Sequence, residues 1–416
     1  MRCDSSFVKP QPRQRKTLPV WLLGLANLPL GLTGGLALLT MPQWLAARHV
    51  PEPVIAELTT LALIPSFLVF LLGPVFDLWF SRRVYAIGST LFAASSGFAA
   101  VLAGSNLALL GAALVCACLG GSANSMAIGG WFGTLIEKEK DATLGAWMNI
   151  ANVCGFGAIA GAGMWAIRAL PAPAAAAVLA APNLVGLLIY ACTPAPTPDR
   201  RLARESFGQF FKDLTALFRR PIVLQTLLLF AVPAASFALT NTLGGLGGDY
   251  YASERFVSVM GGAAGIGAGL IGSLLVPPLA RRAPPRTLYL GIGLLGAVFT
   301  LSLIIAPRTP TLFGIAITGQ NIAQAAALAT VNVVALQSLG KDNPFAATQF
   351  GLLCCASGLP IAYMQLLDGH AYGVGGLRLM YLADGGLGFA ACALMSCLFM
   401  VWARRARREP EHARVR

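Results

Sequence analysis

The stretch from Gly73 to Arg83 reads GPVFDLWFSRR, and it decides how the rest of the chain is interpreted. It begins like the end of an apolar helix and then carries Asp77, Arg82 and Arg83. Charged residues are only 11% of the 416-residue chain, so this group of charges marks a place where the chain leaves an apolar environment. The stretch therefore predicts the point at which a helix meets water.

The composition identifies the apolar environment as lipid. Hydrophobic residues make up 56% of the chain and the mean hydropathy is +0.70, which a soluble domain of this size does not show, because its surface must be polar. Apolar stretches of about 20 residues, the length that crosses a hydrocarbon core of ~30 Å, recur along the chain. We predict an all-α polytopic membrane protein with twelve transmembrane helices over residues 18–41, 56–76, 84–104, 107–134, 143–166, 173–193, 221–243, 256–279, 288–306, 311–338, 344–366 and 379–403.

Four prolines fall inside these predicted helices, namely Pro29, Pro65, Pro233 and Pro360. A proline removes a backbone donor, and a membrane bundle tolerates this where neighbouring groups or cavity water satisfy the freed backbone. We expect kinks or unwound turns at these positions.

The net charge of +13 is distributed as expected for a membrane protein and not for a nucleic-acid-binding one. Of the 30 Lys and Arg residues, 25 fall in the two termini and the alternate loops that share their side, and only Arg48, Arg168, Arg255, Arg308 and Arg378 fall in the opposite loops. Because positive segments resist translocation, we predict an inner-membrane protein with both termini in the cytoplasm. The basic excess is expected to contact anionic lipid.

The nine cysteines indicate neither disulfides nor a metal site. Eight lie inside predicted spans, Cys3 lies in the N-terminal tail, and no CxxC or Cys/His cluster occurs. Glycine-rich runs in predicted helices 5 and 8 lack the flanking strand of a phosphate-binding loop, so they are interpreted as close helix packing. We expect no cofactor and no metal.

The chain divides into two halves around a polar segment. Residues 195–220 include Phe207, Phe210, Phe211, Leu214, Leu217 and Phe218 at helical spacing, which predicts an amphipathic linker helix in the membrane interface or, as the alternative, a partner-binding segment. The predicted organisation is a tail (1–17), a six-helix bundle (18–194), the linker (195–220), a second six-helix bundle (221–403) and a basic tail (404–416).

The two halves carry a trace of duplication. Gly73 is followed at the ninth and tenth positions by an Arg pair, and GSLLVPPLARR puts Arg281 and Arg282 at the same offsets from Gly272, a shift of 199 residues. Both copies fall where helix 2 or helix 8 leaves the membrane on the same side. Two parallel six-helix pseudo-repeats are one of the organisations found in secondary transporters.

In outline, the Gly73 stretch resembles the loop 2-3 signature of the major facilitator superfamily, a Gly, an Asp four residues later and then a basic pair. It departs at Leu78, where that family usually has Arg, and the basic pair arrives one residue late. The start of helix 11, ATQFGLL from Ala347 to Leu353, and the segment FGQFFKDLTALFRRP resemble the muropeptide permease, acetyl-CoA transporter and siderophore permease branch. The resemblance implies a secondary transporter whose halves rock about a midplane site, powered by an ion or substrate gradient.

The resemblance also implies a gate. In that superfamily loop 2-3 lies beside the start of helix 11, which the sequence places at Asn343 and Pro344 as N-cap and first residue. Asp77 would bind the positive end of that helix dipole, with Arg82 and Arg83 as gating partners. Positive-inside topology alone is the alternative role of the two arginines.

The second half lacks an equivalent acid, because Val276 stands at the position that corresponds to Asp77. We therefore expect Arg281 and Arg282 to meet Asp141, the predicted N-cap of helix 5, as a second gating contact.

Helix 4 departs from the branch at its coupling residues. Muropeptide permeases resemble S-Q-D-I-A-F-D-A-W there, whereas this chain, aligned on Trp131, reads A-N-S-M-A-I-G-G-W and has Ser125 and Gly129 in place of the two acids. The departure argues against proton coupling through helix 4 and against a muropeptide, and it favours a siderophore or another metabolite by elimination. No proline follows Ala142 before Leu170, so helix 5 lacks the Gly-Pro motif of many drug antiporters, which favours uptake.

Polar side chains inside spans are expected to face the bundle interior or a wet cavity. The candidates are amides, which donate and accept at once and suit a solute with carbonyl and hydroxyl groups. They are Asn27, Asn149, Asn152, Asn241, Gln320, Asn321, Gln324 and Gln349. Hydrogen bonds between helices are the alternative role of each.

Asp384 is the candidate proton-coupling residue, since it falls about five residues into predicted helix 12. Alternatively, helix 12 starts later and Asp384 is hydrated near Arg378. Asp249 and Asp368 are expected in outer loops.

These observations predict a transporter of a small polar organic solute, siderophore-like, peptide-like or another metabolite, by uptake, with the proton as candidate coupling ion and a monomeric state. The alternative is a drug or metabolite exporter on the same fold. A non-transporting receptor and a membrane enzyme are further alternatives, but His49, His370 and His412 are scattered and no catalytic cluster is evident, so no enzyme is predicted.

Overall fold

The computed structural model is all-helical, with no strand, over the residues that it describes, which are 18–104, 106–195, 215, 220–236, 239–240, 246–340 and 343–412. The side chains of Leu78 and of residues 403–412 are not described. Outside this part of the chain lie the N-terminal tail, the predicted linker apart from residues 195, 215 and 220, Asn241, and residues 413–416.

The helices follow the order of the twelve predicted spans. The first half has α1 (Val20–Ala46), α2 (Glu52–Asp77), α3 (Arg82–Leu102), α4 (Leu107–Leu135), α5 (Lys138–Ala169) and α6 (Ala172–Cys192). The second half has α7 (Pro221–Phe230), α8 (Glu254–Ala280), α9 (Pro285–Ser302), α10 (Pro310–Leu339) and one helical stretch, Ala346–His412. Gly376, at φ 63°, divides that stretch into α11 before it and α12 after it, a conformation that glycine adopts without strain. Within the described residues, nine helical segments are long and apolar enough to cross a membrane, which confirms the predicted fold class.

Two of the four prolines mark breaks in their helices. α1 is interrupted at Ala26 and Asn27, and its next segment has Pro29 in the first turn. α7 ends at Phe230, and the chain is irregular from residue 231 to 236, around Pro233. Pro65 precedes a 3₁₀ turn at Val69–Leu72, whereas helical structure continues through Pro360.

Small residues let the helices of the first half approach closely. Gly31 of α1 lies against the backbone of Asn152 in α5, and Gly155 of α5 lies against the backbone of Leu28 and Leu32 in α1. The glycine-rich run of α5 therefore serves helix packing, as interpreted from the sequence.

In each half an amide on the fourth helix bonds to the first helix, buried in the first half and half-buried in the second. In the first half, Asn124 of α4 donates to the Ala26 carbonyl (2.9 Å) and accepts from Thr90 (3.1 Å) and from the Tyr190 hydroxyl (2.6 Å). In the second half, Gln324 of α10 donates to the Ala235 carbonyl (2.9 Å). In both halves an amide on the fourth helix thus satisfies a carbonyl that is freed where the first helix is broken. The same polar contact therefore recurs in the two pseudo-repeats.

Other amides join the two halves. Asn149 of α5 donates to Ser273 Oγ in α8 (2.9 Å) and to the Ala325 carbonyl in α10 (3.1 Å). Asn332 of α10 donates to the Gly145 carbonyl in α5 (3.3 Å). These bonds hold α5 against α8 and α10.

We expect Asn124→Ala to lower the free energy of unfolding by about 2 kcal/mol, because three partners lose bonds worth about 0.6 kcal/mol each in a bilayer protein. SDS-induced unfolding of the purified protein in mixed micelles measures this. Asn321→Ala is the matched control, since among the described residues Asn321 donates to the Ile317 carbonyl of its own helix and to no other helix. Equal losses in the two variants would contradict the assigned role of Asn124.

Candidate functional site

The carboxylate of Asp77 caps a helix of the other half. The N–H of Ala347 donates to Oδ1 (3.2 Å), and the N–H of Thr348 (2.9 Å) and Thr348 Oγ1 (2.7 Å) donate to Oδ2. Because α11 begins at Ala346, these are second- and third-position N–H groups, which an N-cap side chain normally satisfies. The Asp77 side chain is completely buried.

Arg82 orients this carboxylate and extends the contact. Its Nε lies 3.0 Å and its Nη2 2.9 Å from Asp77 Oδ1. The remaining guanidinium donors reach the carbonyls of Gly130 in α4 (3.4 Å) and of Asn343 (3.3 Å) and Pro344 (3.0 Å) before α11. A single arginine therefore joins the ends of α2 and α4 to the segment that enters α11. We call Asp77, Arg82, Ala347 and Thr348 the gate cluster, and the end of the bundle where they lie the Asp77 face.

The predicted N-cap of helix 11 is wrong. Asn343 Oδ1 accepts from the N–H of Phe345 (3.1 Å), two residues on, which is an Asx turn and not a helix cap. Its amide nitrogen donates to Gln349 Oε1 (2.7 Å), and Gln349 Nε2 donates to the Ser338 carbonyl (2.9 Å). Gln349, predicted to bind substrate, instead fixes the connection between α10 and α11.

Two glycines allow the halves to meet at the Asp77 face. A Cβ on Gly130 would lie 2.6 Å from the backbone nitrogen of Ala347, and one on Gly73 would lie 2.7 Å from the Cα of Thr348. Real Cβ atoms do not come this close to backbone, so only glycine permits this packing. Gly73, singled out in the sequence as the start of the signature, therefore allows α2 to approach α11.

The other predicted gating residues are not joined to the gate cluster. Arg83 is half-buried, and within the described residues no bond links it to Asp77. Asp141 is 1% exposed, and neither of its carboxylate oxygens has a hydrogen-bond partner. The expected contact with Arg281 and Arg282 is absent in this structure, because both arginines are exposed while Asp141 is buried in the first turn of α5.

Above the gate cluster, a cavity of about 230 Å³ lies between the halves. Its wall comes from α1, α2 and α4 of the first half and from α10 and α11 of the second half. The residues that line it are Leu30, Ser66, Phe67, Val69, Ser122, Ser125, Met126, Leu328, Phe350, Gly351, Cys354, Cys355, Ser357 and Gly358. A larger cleft, of about 620 Å³, includes Tyr250, Arg308 and Arg378 at the opposite end of the second half, away from the boundary between the halves. We therefore assign the smaller cavity as the candidate site.

The polar groups of the cavity wall are serines and cysteines that largely bond to each other or to backbone. Ser66 Oγ lies 3.3 Å from Ser122 Oγ, Cys355 Sγ donates to the Ser66 carbonyl (3.1 Å), and Ser357 Oγ donates to the Cys354 carbonyl (2.7 Å). Toward the Asp77 face the wall is closed where Phe350 packs on Gly129 and Met126 on Gly351.

The predicted substrate amides do not line this cavity. Asn27 donates to the Met148 carbonyl (3.0 Å), and Gln320 is fully buried between the N–H of Leu239 and Thr300 Oγ1. The hydrogen bonds described above account for Asn149, Asn321, Gln324 and Gln349. Asn152 is half-buried beside Gly31, and Asn241 lies outside the described residues. Contact with substrate in another conformation stays a prediction for these residues.

Both intramembrane acids of the second half are buried. Asp384 lies within α12, 3% exposed, and accepts from Ser236 Oγ (3.4 Å) in the broken part of helix 7. This burial excludes the hydrated position near Arg378. The expected loop position of Asp368 is wrong, because it lies in α11 and is 1% exposed. Asp249 lies in a short 3₁₀ turn and accepts from the Tyr372 hydroxyl (2.7 Å).

Comparisons with known proteins identify the family. The family model described as Major Facilitator Superfamily matches residues 23–362. The chain belongs to this superfamily. No curated protein sequence matches the chain.

Solved structures share its fold at low identity. A bacterial homologue of the iron transporter ferroportin, in an outward-facing state with soaked iron, has 18% identity and a TM-score of 0.62, with 92% of this chain and 98% of that chain covered. The Escherichia coli fucose:proton symporter FucP has 15% identity and a TM-score of 0.67, covering 91% and 98%. The human organic anion transporter MFSD10 has 18% identity and a TM-score of 0.64, covering 92% and 100%.

Membership of the superfamily makes the chain a multi-pass integral membrane protein of a transporter family. The closer likeness to the muropeptide and siderophore permease branch stays a prediction. The cavity lies between the halves, where secondary transporters bind their solutes near the midplane.

Sequence reasoning missed most of the residues of the cavity wall and half of the gate cluster. Ala347 and Thr348 could be recognised only as part of a family motif. Ser66, Ser122 and Cys355 lie on different helices, so no sequence pattern indicates that they are close together. Ser125 and Gly129 were found because they replace acids of a related motif. Comparison with a family motif thus identifies positions of the cavity wall that the spacing of polar residues along one helix does not.

We expect Asp77→Asn to expose the first turn of α11, because an amide offers one acceptor oxygen where the carboxylate receives four donors. The N–H groups of Ala347 and Thr348 should exchange about tenfold faster with deuterium, corresponding to about 1.4 kcal/mol, within the usual cost of losing a helix cap. Mass spectrometry of a peptide covering residues 343–353 measures this. Arg83→Gln, the control, should leave the exchange unchanged, and unchanged exchange in Asp77→Asn would refute the capping role.

Proposed function

We propose that the chain is a secondary active transporter that moves a small organic solute by alternating access through the cavity between its halves. The observation that carries the proposal is a cavity walled by both halves and closed on one side by a cap that passes between them. Asp77 belongs to the first half and the α11 backbone to the second, so any motion that separates the halves at this face must break the cap.

The free energy needed to open the Asp77 face is small enough for the protein to alternate between two conformations. Loss of a helix cap costs about 0.5–2 kcal/mol. The bonds of Arg82 to Gly130, Asn343 and Pro344 break with it, while water can replace them at the membrane surface. A difference of a few kcal/mol keeps the minor state populated enough for a solute to shift the equilibrium.

The charge bias supports the orientation. If positive loops are retained inside, the Asp77 face is cytoplasmic and this conformation is closed to the cytoplasm, with the cavity approached from outside. The inner-membrane location, the cytoplasmic termini and the monomeric state remain part of the proposal.

Coupling to an ion gradient is assigned to Asp384. It is buried beside the irregular segment that follows Phe230, where Ser236 donates to it and Gln324 binds the Ala235 carbonyl. A carboxylate next to a broken helix can take up and release a proton as that segment moves relative to α12. The sequence carries no nucleotide-binding motif that would power transport in another way.

Uptake is the proposed direction, and α5 supports it. This helix runs without interruption from Asp141 to Ala169 and lacks the proline of the antiporter motif. Proteoliposomes or cells incubated with ferric siderophores, peptides and lipophilic drugs, with and without a proton uncoupler, test the proposal. Uncoupler-sensitive accumulation of one compound supports uptake, whereas greater retention of a drug after the gradient collapses would establish export.

We expect Asp384→Asn to abolish uphill accumulation while exchange of solute at equal concentrations continues, because the amide keeps a hydrogen bond to Ser236 but cannot release a proton. Accumulation and counterflow in proteoliposomes with an imposed pH gradient measure the two processes. Asp249→Asn is the matched control, an acid with one hydroxyl partner outside the spans. Uphill accumulation at the wild-type rate by Asp384→Asn would remove Asp384 from the coupling mechanism.

A further inference from the structure

We infer that the substrate is an uncharged, largely apolar small molecule with one or two hydrogen-bonding groups. This inference rests on the proposed function and deepens it by naming the substrate class. It differs from the polar solute expected from the amide residues, since none of those amides lines the cavity and Asn27, Asn149, Gln320 and Gln324 bond to other helices.

The wall of the cavity carries no charge. None of its described lining residues is an acid or a base. Residues 237–238 and 241–245, which lie outside the described residues, read FA and NTLGG and add no ionisable group whatever their position. The nearest acids along the lining helices are Asp77, eight residues after Val69 and ion-paired with Arg82 (2.9 Å), Glu57, nine residues before Ser66, and Asp368, ten residues after Gly358. Ten residues of helix are about 15 Å.

The cavity also offers few free hydrogen-bonding groups. The hydroxyls of Ser66 and Ser122 lie against each other, and the side chains of Ser357 and Cys355 donate to backbone carbonyls. Ser125 is the lining serine for which the described residues provide no partner, so it is left to bond a substrate. Together with the one O–H that the Ser66–Ser122 pair leaves undonated, Ser125 matches a solute with one or two carbonyl or hydroxyl groups better than a polyhydroxylated one.

Two positions on α4 keep this part of the wall uncharged. Ser125 places a small neutral group in the cavity wall. Position 129 is a glycine, and the ring of Phe350 lies where a side chain would be. An acid at position 129 would have to displace a fully buried phenylalanine, so this site is shaped for an apolar wall.

Charge and size then restrict the solute. An ion that enters without a partner gives up its hydration with nothing to replace it, whereas an apolar molecule gains from leaving water. The cavity of about 230 Å³ is small beside the roughly 300–1,000 Å³ of sites for drug-sized ligands. Siderophores and muropeptides are larger and more polar than this conformation accepts.

The cysteines of the wall allow a test that does not depend on transport. Cys354 and Cys355 line the cavity, so the purified protein is treated with 2-hydroxyethyl, 2-sulfonatoethyl and 2-(trimethylammonio)ethyl methanethiosulfonate, and modification is located by peptide mass spectrometry. Rates are normalised to those of a cysteine introduced by Ser253→Cys at an exposed position before α8. We expect the neutral reagent to react at least about tenfold faster than either charged one, a factor of about 1.4 kcal/mol. Equal normalised rates would overturn the inference.

A second experiment introduces a charge into the cavity. Ser125→Asp should raise the normalised rate of the cationic reagent relative to the anionic one, because the carboxylate supplies a partner for a cation. Thr309→Asp, which keeps an N-cap oxygen at an exposed site before α10, is the matched control and should not change this ratio. The inference is overturned if Ser125→Asp leaves the ratio unchanged while the protein remains folded.

The two proposals fail in distinguishable ways. A neutral-selective cavity together with no transport of any neutral compound in the solute panel would remove the proposed function and leave the cavity chemistry intact. Transport of a charged solute by a protein whose cysteines react equally with all three reagents would keep the function and remove the substrate class.

Discussion

A helix of one half is capped by a carboxylate of the other half, and the rest of the closed structure depends on this contact. An isolated helix 11 would begin with its second and third N–H groups unsatisfied, because its own Asn343 is used in a turn. Asp77 supplies the missing acceptor from 270 residues away in the sequence. The first turn of α11 is therefore complete only while the halves are in contact. Its local stability depends on the conformation of the whole protein.

The two halves share the arrangement of their helices, but only the first half provides a carboxylate that caps a helix of the other half. The amides Asn124 and Gln324 fill corresponding places, each satisfying a carbonyl in the broken first helix of its half. At the membrane surface the correspondence ends, since Val276 is buried where an Asp77 equivalent would stand and Asp141 has no hydrogen-bond partner. Within the described residues, the charged contacts that close this face come from one half's loop, and the Asn332–Gly145 bond between α10 and α5 adds a neutral one.

Much of the fold follows from the sequence because hydrophobic length is a local property. The all-helical membrane fold, the breaks at Pro29 and Pro233 and the importance of Gly73 to Arg83 could all be recognised from residues close together in the chain. Asp77 was placed at the start of helix 11 only through the family resemblance.

What the sequence could not provide is the partner of each polar group. Asn149 and Gln320 are polar side chains in apolar helices, and this pattern is the same for a substrate ligand and for a bond between helices. Asp368 was expected in an outer loop, two residues beyond the predicted end of span 11 at 366, yet α11 continues past it and tertiary packing buries it. The cavity residues come from five helices, and their proximity is created only by the fold.

The fit of Phe350 against Gly129 has a consequence for how this transporter could have diverged from its relatives. An acid at position 129 clashes while the ring is present, and a smaller residue at position 350 leaves a void while glycine remains. Either change alone is unfavourable, so the pair is epistatic and must change together or through a destabilised intermediate. Lineages that acquired this pairing would rarely regain an acid at position 129, and co-variation of the two positions would mark the members that share this packing.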